Sequence, residues 1–209
     1  MLVVFMMNAK KINIDLTSPF QTTCPHYKAM TSLKFAEGYR EEMKSSESFG
    51  LINGCFDPLH VGHIWLLNQA REACDVLWVA LNSDDYIRKN KSKPGGIAFI
   101  PQMGRVYSLL SLEAVTGVTV YNQQNCADVI KALKPDLLLK SKEYEKAKSY
   151  GSTTFTTPES YKHIVNTEDE LRAATDVGAD VKYLDMLPGY SSTILLEKLL
   201  GIDKLDDII

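Results

Sequence analysis

His60 and His63 stand three residues apart in LINGCFDPLHVGH, Leu51 to His63, a run that passes from an apolar stretch through a glycine and proline turn into helical periodicity. A strand end feeding a helix start gathers backbone N–H groups and the positive end of the helix dipole at one point, where a phosphate group is favoured. Two imidazoles across such a junction can aim ring nitrogens at one phosphate, and Gly62 between them has no Cβ to hold it off the backbone. The bland alternative is a pair of histidines that only satisfy polar groups at a helix cap. The glycine between them favours a phosphate clamp. Asp57, in the same turn, could hold Mg²⁺ directly or through water, or simply stabilise the turn.

The elements that must position these residues are legible from Phe49 onward, where short apolar runs alternate with helical periodicity. Candidate strands are 49–53, 76–82, 118–121, 136–140 and 181–184; candidate helices are 62–73, 101–114, 126–133, 168–177 and 192–200. Runs apolar on both faces fit strands covered by helices on either side. The fold class is therefore α/β, a Rossmann-like doubly wound parallel sheet. Residues 1–48 read as an N-terminal extension, a strand or hairpin followed by a helical stripe (Leu33, Phe35, Ala36, Tyr39, Met43), and 49–209 as the main domain. Its polar segment 142–166 reads as an insertion before the last strand, either a surface loop or a lid. Trp65 and Trp78 are expected in the core, with base stacking the alternative for Trp65.

Composition narrows the partners. The 209 residues are 45% hydrophobic and carry 23 Lys and Arg against 26 Asp and Glu, a net charge of -3. No sequence-wide basic field exists to draw in nucleic acid, so an anionic ligand must be held locally. The longest apolar run, Met1 to Met7, falls far short of the roughly 20 residues of a spanning helix. With no basic start and no small-residue cleavage site it does not read as a signal peptide, so a cytoplasmic location away from membranes is expected. The cysteines, Cys24, Cys55, Cys74 and Cys126, form no C-x-x-C pair and read as reduced thiols; Cys24 with His26 is too few ligands for a metal site. His26 and His163 read as surface residues.

NGCFDPLHVGH, VLWVALNSD (Val76 to Asp84) and KPDLLLK (Lys134 to Lys140) together resemble the cytidylyltransferase-like family of nucleotidyltransferases, over about Phe49 to Leu200. Within it the stronger likeness is to the adenylyltransferase domain of ADP-heptose synthase, and the weaker to glycerol-3-phosphate cytidylyltransferase. The resemblance implies attack by a phosphate oxygen of a sugar or polyol phosphate on the α-phosphorus of ATP or CTP, with release of pyrophosphate and Mg²⁺ accompanying the nucleotide. It implies His60, His63 and Arg105 as catalytic residues, and Asn53, Gly54, Cys55, Phe56 and Gly62 as nucleotide contacts. GYSST, Gly189 to Thr193, matches a second phosphate anchor of the family, with Ser191, Ser192 and Thr193 at a helix start. A helix cap made by Ser191 or Ser192 is compatible with that role. Arg105, in PQMGR, matches a family arginine that contacts the triphosphate. Asp57, Lys140 and one lysine of the Arg88, Lys89, Lys91, Lys93 cluster, Lys91 or Lys93, are implied at the substrate. A homodimer is implied as well.

The chain departs from the likeness where the family's arginine before the Pro101 position is Ile97, and where its Lys-Gly-Gly reads Lys140, Ser141, Lys142. Those departures leave room for a non-catalytic nucleotide-binding module, in which binding survives without turnover. The His and Gly signature also echoes class I aminoacyl-tRNA synthetases, but the chain shows no tRNA-binding module or basic funnel.

Overall fold

The computed structural model describes residues 2–7, 10–15, 31–90, 98–144, 167–192 and 194–195. Lys91, Lys93, Thr193, Ile97, Cys24, His26, His163 and most of the expected insertion lie outside them. Leu2–Met7 (β1) and Lys10–Asp15 (β2) pair antiparallel as a hairpin. The main sheet has five strands, Phe49–Gly54 (β3), Val76–Asn82 (β4), Gly117–Tyr121 (β5), Leu137–Ser141 (β6) and Asp180–Leu184 (β7), ordered β5-β4-β3-β6-β7. Every neighbouring pair is parallel. This is the α/β architecture expected, with each strand bound within a residue of where the apolar runs put it.

Strand periodicity explains the two layers. In β4, Leu77, Val79 and Leu81 enter one core and Val76, Trp78 and Ala80 the other, because successive side chains leave opposite faces. Helices Val61–Glu72 (α2) and Gln102–Leu110 (α4) close the first face through Leu66, Leu67, Ala70, Val106 and Leu109. Leu33–Glu42 (α1), Ala127–Leu133 (α5) and Thr167–Val177 (α6) close the second through Ala36, Val129, Ile130, Leu133, Ala173 and Ala174. Each fully buried Leu or Val contributes about 1.5–3 kcal/mol, so the two layers carry the fold without a staple. Trp78 is fully buried, its Nε1–H donating to Thr119 Oγ1 at 2.8 Å. A Cβ on Gly117 would stand 2.4 Å from its ring, which is why a glycine opens β5.

Several expectations change. Residues 31–48, grouped with the extension on composition, belong to the fold: Ala36 is fully buried, Arg40 pairs with Asp136 at 3.1 Å, and the Thr31 carbonyl accepts from the Val120 N–H at 3.0 Å. Trp65 is not core but 48% exposed, because the buried stripe of α2 is Gly62, Leu66, Leu67 and Ala70, and Trp65 stands off it. A short helix, Asp84–Asn90 (α3), has no counterpart among the expected elements. Ser83 Oγ caps it by accepting from the Tyr86 N–H at 3.0 Å, and Asp84 and Asp85 complement its dipole. Helix α4 ends at Leu110 rather than Ala114.

Candidate active site

The order β5-β4-β3-β6-β7 reverses direction between β3 and β6, and in such sheets the crevice outside the carboxyl ends of those two strands is where ligands bind. A cleft of about 590 Å³ opens there, a volume usual for a small-molecule site. Its walls bring together Asn53, Gly54, Cys55, Phe56, Asp57, His60, Gly62, His63, Lys140, Ser191 and Ser192, eleven of the residues singled out in the sequence. Ser141, Glu143, Tyr144, Met186 and Tyr190 also line it, beyond the residues that sequence reasoning selects.

His60 is the N-cap of α2: its backbone is extended (φ -143, ψ 172) and its Nδ1 accepts from the Gly62 N–H at 3.1 Å. That bond requires a lone pair on Nδ1, which leaves the proton of the neutral ring on Nε2 and that edge as the donor a ligand can meet. The cap therefore takes up the Gly62 N–H itself, so the clamp works through ring edges more than through that amide. The His63 ring stacks on the His60 ring, centroids 3.8 Å apart at 27°, and the Phe56 ring, tilted by 59°, lies 5.1 Å from His63. The imidazoles share one site, as the spacing requires. The missing Cβ of Gly62 matters more to protein than to ligand, since one built there would stand 3.0 Å from His60 Cε1 and 3.0 Å from the Tyr190 carbonyl oxygen.

Burial holds the His60 imidazole below the usual histidine value of 6.5. Its folded pKa being the lower, the unfolded chain takes up the proton first on acidification; stability is thus at its plateau above 6.5 and falls as pH drops through that value. In a histidine NMR titration His60 is expected to have its midpoint below 6.5, with the cap bond to Gly62 breaking as it protonates. A midpoint at or above 6.5 contradicts this geometry.

Arg105 stands away from the cleft to which the likeness assigns it. Its side chain is fully buried and spends its donors on protein: Nε on the Ile100 carbonyl at 3.0 Å, Nη1 on the Cys55 and Asn82 carbonyls at 2.8 Å each, Nη2 on Asp84 at 2.7 Å. It does not line the cleft; it locks the turn that carries the histidines. Asp57 likewise uses both oxygens on backbone, accepting from Phe99 N–H at 3.0 Å and Ile100 N–H at 2.8 Å, which is the turn-stabilising alternative. Among the described residues no three His, Cys, Asp or Glu side chains gather as metal ligands. Phe56 is buried, with φ +47, a conformation uncommon for an aromatic residue, and its ring meets His63.

Ser191 both lines the cleft and caps the turn that follows it, its Oγ accepting from the Ile194 N–H at 3.1 Å. Lys140 reaches the cleft floor, but its ammonium is bonded to Asn53 Oδ1 at 2.6 Å and paired with Glu170. Glu170 escapes sequence reasoning; an acidic residue on the inward stripe of α6, beside Ala173 and Ala174, is the one signal that could have found it.

A doubly wound sheet whose switch-point cleft is headed by stacked histidines at a helix start fits a nucleotidyltransferase enzyme, the class that the family match shows. The chain belongs to the cytidylyltransferase-like family, whose model matches residues 51–198. It is 33% identical over 156 residues to the bifunctional protein HldE of a Nitratiruptor species, covering 75% of this chain and 28% of that protein. It is 34% identical over 170 residues to the HldE of Rhodopseudomonas palustris (strain BisB5), covering 81% and 30%. The chain thus spans under a third of the length of these relatives. Among solved structures, the lipopolysaccharide core biosynthesis protein from Thermoplasma volcanium matches with a TM-score of 0.47 at 20% identity, over 68% of this chain and 98% of that one. No described helix is long and apolar enough to cross a membrane.

Proposed function

We propose that this nucleotidyltransferase moves an adenylyl group from ATP to a sugar 1-phosphate of the heptose type. A phosphate oxygen of the acceptor forms the new bond to the α-phosphorus, the bond from that phosphorus to the β-phosphate bridge oxygen breaks, and pyrophosphate leaves with the electron pair. The reading is carried by the stacked His60 and His63 at the head of α2, inside a cleft of nucleotide size. The Nε2–H of His60 donates to a phosphoryl oxygen as charge builds there, and His63 works on the same group. The N-terminal ends of α2 and of the turn capped by Ser191 add favourable dipoles. Catalysis of this kind is positioning and electrostatic stabilisation, and no covalent enzyme intermediate is needed. Mg²⁺ would come with the triphosphate, and the protein is expected to act as a homodimer.

The acceptor is supported by the likeness to ADP-heptose synthase and by the relatives named HldE. Use of CTP with a polyol phosphate such as glycerol 3-phosphate is the second reading, favoured by Ser141 and Lys142 standing where the heptose-type enzymes have two glycines. A matrix of four nucleoside triphosphates against sugar and polyol phosphates, read by pyrophosphate release, tests both. The expected positive cell is ATP with a heptose 1-phosphate; release only with CTP selects the second reading, and nucleotide binding with no release from any pair defeats both.

A further inference from the structure

Glu170 is 5% exposed and Lys140 2%, and they form an ion pair in which Lys140 lines the cleft and Glu170 stands behind it. Through Oε1 Glu170 also accepts from Asn53 Nδ2 at 3.0 Å and from the Cys126 N–H, at the head of α5, at 2.8 Å. Lys140 Nζ donates to Asn53 Oδ1 at 2.6 Å and lies 4.9 Å from the centre of the Tyr144 ring. Burying such a pair costs several kcal/mol per ion, and an apolar pair of similar volume is often at least as stable. Stability gives no reason for a charged pair at this place. Its geometry does: both ends of the Asn53 amide are taken, one by each partner, so the amide cannot turn, and Asn53 sits one residue from the end of β3, where the histidine-bearing turn departs. The charge of Lys140 is matched inside the floor and is not a loose countercharge for phosphate.

We propose that Glu170 is a positioning residue that makes Lys140 a strut for Asn53 and leaves the floor between β3 and β6 electrically balanced. That floor then receives the uncharged, hydroxyl-bearing part of a substrate, while phosphates go to the histidine end. The proposal rests on the reading of this cleft as the substrate site.

The test uses Lys140→Met, Glu170→Gln and the double variant Lys140→Met with Glu170→Leu, an apolar pair that keeps the fold if a single change does not. Inorganic pyrophosphate affinity is measured by calorimetry, the Asn53 side-chain amide by NMR, and kcat and KM by pyrophosphate release. Lys140→Met, which leaves the Glu170 carboxylate unmatched, is expected to weaken pyrophosphate binding about tenfold, shift the Asn53 amide, and lower kcat about tenfold. Glu170→Gln, which strips the ammonium of its carboxylate, is expected to tighten pyrophosphate binding about tenfold. The double variant should bind pyrophosphate as the wild type does and turn over as slowly as Lys140→Met. Pyrophosphate binding about tenfold or more weaker in the double variant than in the wild type, no change in affinity or amide in Glu170→Gln, or wild-type kcat in the double variant overturns the proposal. If the wild type releases pyrophosphate with no acceptor, the proposed reaction fails, while affinity and amide shift still decide the role of Glu170.

Discussion

Replacing His63 by alanine is expected to lower kcat/KM by about 10²–10³, the loss usual when a donor aimed at developing charge is removed. The argument is geometric. Its ring stacks on His60 at 3.8 Å and meets the tilted ring of Phe56 at 5.1 Å, contacts that restrict its direction before any ligand arrives. A donor preorganised in this way costs nothing to orient at the transition state, which is why its removal shows in turnover more than in nucleotide affinity. His60→Ala should lose comparable activity and about 1 kcal/mol of stability besides, because it removes the cap of α2. Pyrophosphate release by both variants, beside their urea unfolding curves, separates the two effects. Turnover at the wild-type rate in His63→Ala would sink the assignment.

The second large effect is expected at Arg105, and it is in folding. Alanine there strands the Cys55, Asn82 and Ile100 carbonyls and leaves Asp84 with only the Gln102 N–H of its two partners. Buried acceptors left unpaired cost about 1–3 kcal/mol each before relaxation, so a loss of about 3 kcal/mol is expected by urea denaturation. Because the Cys55 carbonyl belongs to the turn that leads to His60, kcat should fall as well. Arg105→Lys keeps the charge but cannot fork to several carbonyls, and should recover only part of the stability. A triphosphate ligand would behave in the opposite way, with nucleotide affinity falling while the unfolding curve stays in place; that outcome would restore the expectation drawn from PQMGR.

Arg105 also shows where sequence reading loses its grip. Its type and place in the motif are legible, but whether a guanidinium faces solvent, ligand or carbonyls depends on Cys55 and Asn82, 50 and 23 residues away. The same distance hides Glu170, whose partners Asn53 and Lys140 are 117 and 30 residues off. The sheet is legible because each strand announces itself locally: the apolar run Val76 to Asn82 is β4 itself, and its residues are all buried. The histidine pair is legible for the same reason, since three residues and one glycine define its geometry. Helix α3 is harder to see because with one buried residue, Ile87, it has no stripe to read, although Ser83, Asp84 and Asp85 carry its start signal. For Trp65, residue type points to the core, whereas the stripe through Leu66 and Ala70 puts it outside.

The double tether of the turn at 55–57, by Arg105 on one side and by Phe99 and Ile100 on Asp57 on the other, bears on redesign. A wall stitched at so many points tolerates little remodelling. Libraries meant to broaden the range of accepted substrates belong elsewhere on the lining, at Glu143, Met186 and Tyr190, where side chains can be exchanged without unpicking the seam that holds the histidines in register.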